Sequence, residues 1–375
     1  MIVLPYMIIY VTKDRERAEG MPENERYSIL SGDGTESTLE LLQNSNLPKD
    51  SNILVFKNSI QIEKLCREKK WRLLNPSAIL SEKIENKITQ TEWLGDLTNF
   101  LPEHSITITK NINEKYPFII QWAHSHTGDG TLYIQRENEL QEIIRKFPER
   151  EVRLTKYIKG PMFTMNIVVR KDDILLGNIS YQITGISPFT ENPMSTIGND
   201  WSLPHSILSK NHIKEFNNIA LTIGKKMQPE GWKGLFGIDV IYDEERDKLF
   251  LIEINARQPA SATYESQLQA EARGKGVSGI TIFEAHLSAL TNQPISSKII
   301  EINDGAQIIQ RVTSKITDIE PVDLANAGYK VIKYMNTKLN SDLLRIQSKL
   351  GIMESHDKFN KRGKEIEEQV EELVK

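Results

Sequence analysis

The stretch LFLIEINAR, residues 249–257, constrains the fold more than any other part of this 375-residue chain. Strand alternation puts Ile252, Ile254 and Ala256 on one face and Glu253, Asn255 and Arg257 on the other. Upstream, GIDVIYD (237–243) reads as a second strand, and the five residues EERDK between the two suit a hairpin loop. With Asp243 facing Leu249, Asp239 falls directly opposite Glu253. Two facing carboxylates repel by up to about 1 kcal/mol when nothing sits between them. A hard cation such as Mg2+ or Mn2+ removes that penalty. It accepts carboxylate and amide oxygens and keeps positions open for phosphate oxygens. The plainer alternative is a polar sheet face on which Arg257 neutralises an acid.

Around this hairpin the chain reads as α/β, with an α+β character in its second half. Residues 1–85 form a first α/β unit, with strands at 52–56 and 71–75 and a helix at 58–70 between them, the pattern of a parallel βαβ unit. A second unit, 86–160, opens on a helix expected over 84–101. It continues through the strand YPFIIQWAH, the glycine-rich segment SHTGDGT, a strand at 131–135, a helix at 137–147 and a strand, VRLTKYIKG, ending at Gly160. The third unit, 161–293, holds the hairpin, helices at 211–227 and 279–291, and a long polar loop at 187–206. A loop of that length with little structure of its own is usually functional or disordered. Residues 294–375 are α/β at first and then charged and helical by pattern from 338 onward.

Charge and cysteine usage limit what such a chain does. The formal net charge is −4 with both signs interspersed, which gives no basic field for nucleic acid or an anionic membrane. The single cysteine, Cys66, excludes an intrachain disulfide framework and a cysteine-based zinc site, and it sits at helical spacing with Ile62 and Leu65 as a packed core thiol. The apolar N-terminus is too short to span a bilayer and lacks the pattern of a cleaved leader, so it reads as a buried strand and the expected location is cytoplasmic.

The hairpin GLFGIDVIYD…LFLIEINAR resembles the metal-binding hairpin of the ATP-grasp superfamily, which includes D-alanine–D-alanine ligase, biotin carboxylase and carbamoyl-phosphate synthetase. Three further segments match in the same order, and the resemblance covers roughly residues 85–293. It implies an ATP-grasp fold with a small α/β domain in front. It also implies ATP as cofactor with Mg2+ or Mn2+, and an ATP-dependent joining of a carboxylate to an amine through an acyl phosphate, with release of ADP and phosphate. By the same resemblance Asp239, Glu253 and Asn255 are metal ligands, and Arg257 and Glu253 carry the catalysis. Lys87 contacts the nucleotide. Gln121, Gly128, Gly130 and Thr131 bound the phosphate loop, Thr155, Lys156, Tyr157 and Ile158 form the hinge strand beside the base, and Met162 sits at the ribose.

The chain departs from the family at three of these positions. Gln121 stands where a phosphate-contacting lysine is usual, Met162 where a ribose-binding glutamate is usual, and Thr155 where the hinge usually has an acid. An amide cannot neutralise phosphate, and a thioether cannot accept a strong hydrogen bond. A second reading therefore stands beside the ligase: a degenerate nucleotide-binding or regulatory protein on the same fold. Candidates for contacting the unidentified carboxylate and amine are Arg257, Arg311 and His205, with Trp201, Tyr264 and Gln267 nearby in the sequence pattern. The expected partners are small molecules, and a homodimer is implied by analogy only.

Overall fold

The computed structural model describes residues 7–123, 130–295, 298–318 and 322–372. Three larger sheets carry the architecture, with a two-stranded ribbon near the C-terminus. The first contains β1 (Ile8–Val11), β2 (Tyr27–Leu30), β3 (Asn52–Val55) and β4 (Arg72–Leu73), all parallel, in the order β2-β1-β3-β4. Parallel strands need crossovers, and the helices Thr38–Asn44 and Ile60–Lys69 supply them. Leu41, Leu42, Ile62 and Cys66 from those helices close one core with Ile9, Val11, Ile53 and Val55. Cys66 is thus a packed thiol, and burial pushes its pKa up to about 11.

A second sheet is antiparallel and holds β5 (His104–Ile108), β6 (Phe118–Trp122), β7 (Thr131–Ile134) and β8 (Glu151–Lys156), in the order β5-β8-β6-β7. Phe118, Ile120, Val152 and Leu154 pack beneath Leu140 of the helix Glu137–Lys146. Alternation then turns Gln121, Arg153 and Thr155 the other way.

The third sheet has eight strands: β9 (Met162–Val169), β10 (Ile174–Thr184), β11 (Thr196–Asp200), β12 (Gly234–Asp243), β13 (Lys248–Asn255), β14 (Ala306–Arg311), β15 (Lys330–Lys333) and β16 (Asp342–Ser348). Their order is β13-β12-β9-β10-β11-β14-β16-β15. On β9, Phe163, Met165, Ile167 and Val169 share a core with Phe216, Ile219, Ile223 and Met227 of the helix Lys210–Met227. On the opposite face Val168 packs with Ala262, Ile282 and Ala285 from two other helices. Both faces of this sheet are therefore covered, as its near-continuous hydrophobic strands require. No helix among the described residues is long and apolar enough to cross a membrane.

Three local expectations are corrected. The single helix expected over 84–101 is broken: residues 84 and 85 end the helix Ala78–Glu85, the Asn86 side chain caps a new helix, Lys87–Leu94, by accepting from the amides of Ile88 and Thr89, and Gly95–Phe100 is a 3-10 helix. An asparagine in this role satisfies the orphan amides of a new helix start, so continuous apolar spacing conceals a boundary. The polar stretch 187–206 is not structureless, because β11 lies inside it and bridges β10 to β14. The stretch from 338 is not one helix either. It contributes β16 and a short two-stranded ribbon before the helix Lys361–Glu372 begins.

Candidate active site

The hairpin of β12 and β13 reaches the expected pairing by a different path. Asp243 pairs with Lys248, Tyr242 with Leu249 and Val240 with Leu251. The connection is therefore 244–247, one residue shorter than the sequence suggests, with Asp247 at φ 51°. Ile252 is then an extra residue, a β-bulge, after which Asp239 pairs with Glu253 and Gly237 with Asn255. The bulge cancels the offset at the loop. The two carboxylates face one another as the alternation predicts, with Asn255 next along the same side.

These groups are linked in a chain of contacts. Asn255 Nδ2 donates to Asp239 Oδ2 at 3.1 Å, and Arg257 donates to Asn255 Oδ1 at 2.6 Å and to Glu85 Oε1 at 3.0 Å. Lys87, at the start of its helix and almost fully buried, places Nζ 2.6 Å from Glu253 Oε1. Burial, reinforced by the charge of Glu253, pushes the Asp239 carboxyl up to about 6. A buried carboxylate in such a pair fits a divalent cation, which would offset both the burial and the repulsion from Glu253. Among the described residues no group of three or more His, Cys, Asp or Glu side chains is placed to hold a metal. What stands together here is two carboxylates and an amide, Asp239, Glu253 and Asn255, fewer acidic groups than a cage built of protein alone would use.

Asp239 and Glu253 both line one pocket. Its other walls are Gln121 and Thr131 from the second sheet, Arg153 and the hinge residues 155–158, and Met162, Gln182, Ile241 and Ile252 from the large sheet. Ile158, Ile241 and Phe250 pack with Met162 and Ile252 as an apolar surface. The pocket thus combines hinge residues and an apolar surface with a pair of carboxylates, the mixture a nucleotide would require. The two sheets meet across it. Gly160, where the hinge strand turns into β9, lies so close to β12 that an added Cβ would fall 1.9 Å from the Tyr242 carbonyl oxygen.

The structure brings Gln121, Thr131, Thr155, Lys156, Tyr157, Ile158, Met162, Asp239 and Glu253 around this one pocket. Lys87, Asn255 and Arg257 join it through the contacts above. Gly130 accepts from the Trp122 amide at 2.9 Å and so closes the base of its loop, while Gly128 lies outside the described residues. Two candidates lie elsewhere. Arg311 is buried against Asp342 and donates to the Thr196 carbonyl at 2.5 Å. His205 lines a separate pocket with Met165, Ile213 and Asn217. Trp201 and Tyr264 pack edge to face in a core, and Gln267 donates to the Glu19 carbonyl at 2.9 Å. Sequence reasoning missed Arg153, Gln182 and the Ile252 bulge. The signal for Arg153 was present, since it stands two residues before Thr155 and so on the same strand face.

A family model for the ATP-grasp domain matches residues 84–261. No curated relative matches the chain. Among solved structures, N5-carboxyaminoimidazole synthetase from Staphylococcus aureus superposes with a TM-score of 0.67 at 15% identity, covering 98% of this chain and 97% of that one. The enzyme of the same activity from Aspergillus clavatus, in complex with ADP and its aminoimidazole ribonucleotide, gives 0.65 at 14% identity, covering 99% of each. L-amino acid ligase from Bacillus licheniformis gives 0.66 at 11% identity, covering 98% of this chain and 97% of that one. At such identities these superpositions establish a shared fold over nearly the whole chain.

Proposed function

We propose, from the premise that residues 84–261 form an ATP-grasp domain, that the chain is an ATP-dependent carboxylate–amine ligase that activates a carboxylate as an acyl phosphate. The observation that carries this reading is the Asp239–Glu253 pair, facing across the hairpin and lining one pocket together with the hinge segment 155–158. A site that only sensed a nucleotide would have little use for Arg257 and Asn255 as well. The L-amino acid ligase that shares the fold also supports this class, because amino acids offer both a carboxylate and an amine.

In this reading the peptide groups of Tyr157 and Ile158 bracket the base, Met162 and Ile241 pack against its edge, and Lys87 sets a positive charge at the phosphate end. Asp239, Glu253 and Asn255 would hold a divalent ion, which when bound supplies neutralisation of the phosphate charge. A carboxylate oxygen of the substrate attacks the γ-phosphorus in line, the bond to the bridging oxygen breaks, and ADP leaves. An amine then attacks the acyl carbon, loses a proton, and expels phosphate. Positioning and electrostatics account for most of such a reaction. Arg257, fixed by Glu85 and Asn255, faces the charge that develops on the acyl oxygen.

The test is ADP release by the purified protein with ATP and Mg2+, over a panel of amino acids and small carboxylic acids with and without an amine acceptor. Release that requires one acid together with one amine establishes the ligase and names both substrates. Release with the acid alone assigns a phosphotransferase. Tight ATP binding without release, over a panel that includes all the common amino acids, assigns a nucleotide-binding regulator.

A further inference from the structure

Arg153 is among the largest fully buried side chains of the molecule, with 1% of its surface exposed, and it lines the pocket described above. On β8 it pairs directly with Gln121 of β6. Its Nε donates to Gln121 Oε1 at 2.9 Å, one terminal nitrogen donates to Gln90 Oε1 at 3.0 Å, and the other donates to the carbonyl of the bulged Ile252 at 3.1 Å. All three acceptors are neutral. Among the described residues Arg153 forms no ion pair, and the carboxylate whose charge acts on it, Glu253, is held by Lys87.

A guanidinium is always charged and has five N–H donors in one plane. Three are used here and two remain. Burying a cation without a counterion is costly, and neutral hydrogen bonds offset only part of that cost. A protein that keeps such a group in the wall of a pocket gains from it when an anion enters. The position selects the anion. Arg153 stands two residues before the hinge at Thr155 and donates to the carbonyl of Ile252, the residue next to Glu253, so it lines the pocket beside both the hinge and the carboxylate pair.

We propose that Arg153 is the phosphate-binding cation of this nucleotide site, carrying on β8 the positive charge that β6 lacks at Gln121, with Gln121 and Gln90 holding the guanidinium in place. The proposal rests on the ligase reading for the identity of the nucleotide. It also accounts for Gln121: an amide oxygen there orients the arginine, where a lysine would repel it.

The experiment is calorimetric titration of ATP and, separately, of adenosine into wild type and three variants. Arg153→Gln is expected to weaken ATP at least tenfold and to leave adenosine within twofold. Adding Gln121→Lys to it is expected to bring ATP back to within threefold of wild type. Gln121→Glu, nearly isosteric, hands the guanidinium an internal counterion. It is expected to weaken ATP at least fivefold, with adenosine unchanged, and it answers the question even where Arg153→Gln does not fold. Unchanged ATP affinity in either single variant overturns the proposal, as does equal weakening of ATP and adenosine, the mark of a structural role. Wild type that binds neither ligand removes the ligase reading and this proposal together. Wild type that binds ATP with Arg153→Gln retaining it removes this proposal alone.

Discussion

Glu253 faces Asp239 across the hairpin and Lys87 from outside it. Substituting glutamine keeps its size and removes its charge, so a buried ammonium loses its partner and the phosphate end loses one anionic oxygen. Glu253→Gln is expected to lower turnover at least tenfold, about 1.4 kcal/mol in the barrier. Single-turnover ADP formation measures this, and a wild-type rate would remove Glu253 from the catalytic set. The same substitution relieves the repulsion on Asp239, whose carboxyl should then titrate below its present value of about 6. At this scale the sequence was informative where alternation alone decides orientation: Asp239, Glu253, Asn255 and Arg257 share a side because strands have a period of two. For Arg153 it gave the strand face, shared with Thr155, but not what that face meets, and for Arg311 it did not give the partner. Both are arginines within strands, and only the neighbouring sheet decides whether such a side chain meets solvent, a pocket or a carboxylate. Arg153 lines the pocket, and Arg311 is locked against Asp342.

Elements were legible where periodicity was unbroken, as in the helix Lys210–Met227, and illegible where a single residue redirected the chain. Asn86 splits one apolar pattern into two helices, and Ile252 adds a bulge that no alternation count reveals. Joints between elements follow the same rule, and Gly160 is the clearest. Its constraint is close approach, since an added Cβ would fall 1.9 Å from a backbone oxygen of β12 that no side-chain rotation can move away. The Tyr242 amide donates to the Pro161 carbonyl at 3.0 Å beside it. Gly160→Ala must push the hinge off the hairpin, and overpacking of this kind costs about 1–3 kcal/mol. The expected outcome is a lower urea midpoint together with weaker ATP binding, because the hinge and the carboxylates belong to opposite sides of that joint. A variant with wild-type midpoint and affinity would show that the joint yields freely.

The C-terminal segment is where whole-molecule packing overrode local pattern. LLRIQ in β16 is buried at every position, and its Arg345 and Gln347 made a fully buried strand look like one face of a charged helix. The arginine is there for a long-range reason. Arg17 near the N-terminus, Arg311 on β14 and Arg345 on β16 share two carboxylates, Glu16 and Asp342, with Tyr334 donating to Glu16 and accepting from Arg345 at 2.8 Å. This cluster fastens the first sheet's loop to the far edge of the eight-stranded sheet. Asp342 meets all three guanidiniums, so Asp342→Asn leaves three buried cations around one carboxylate, a loss on the order of 3–5 kcal/mol. The pH dependence carries the sign. Burial works against the Asp342 anion, but Arg311, Arg17 and Arg345 together hold its carboxyl below the ordinary 3.8. A depressed folded-state pKa means the unfolded chain binds the proton first, so this stabilisation is complete above about pH 4 and lost as pH falls below it. Urea unfolding of wild type and Asp342→Asn from pH 7 to pH 3 should give curves well separated at neutral pH whose separation narrows as pH falls below about 4. Curves that stay parallel across that range would show that the charge of Asp342 does not hold the two ends of the chain together.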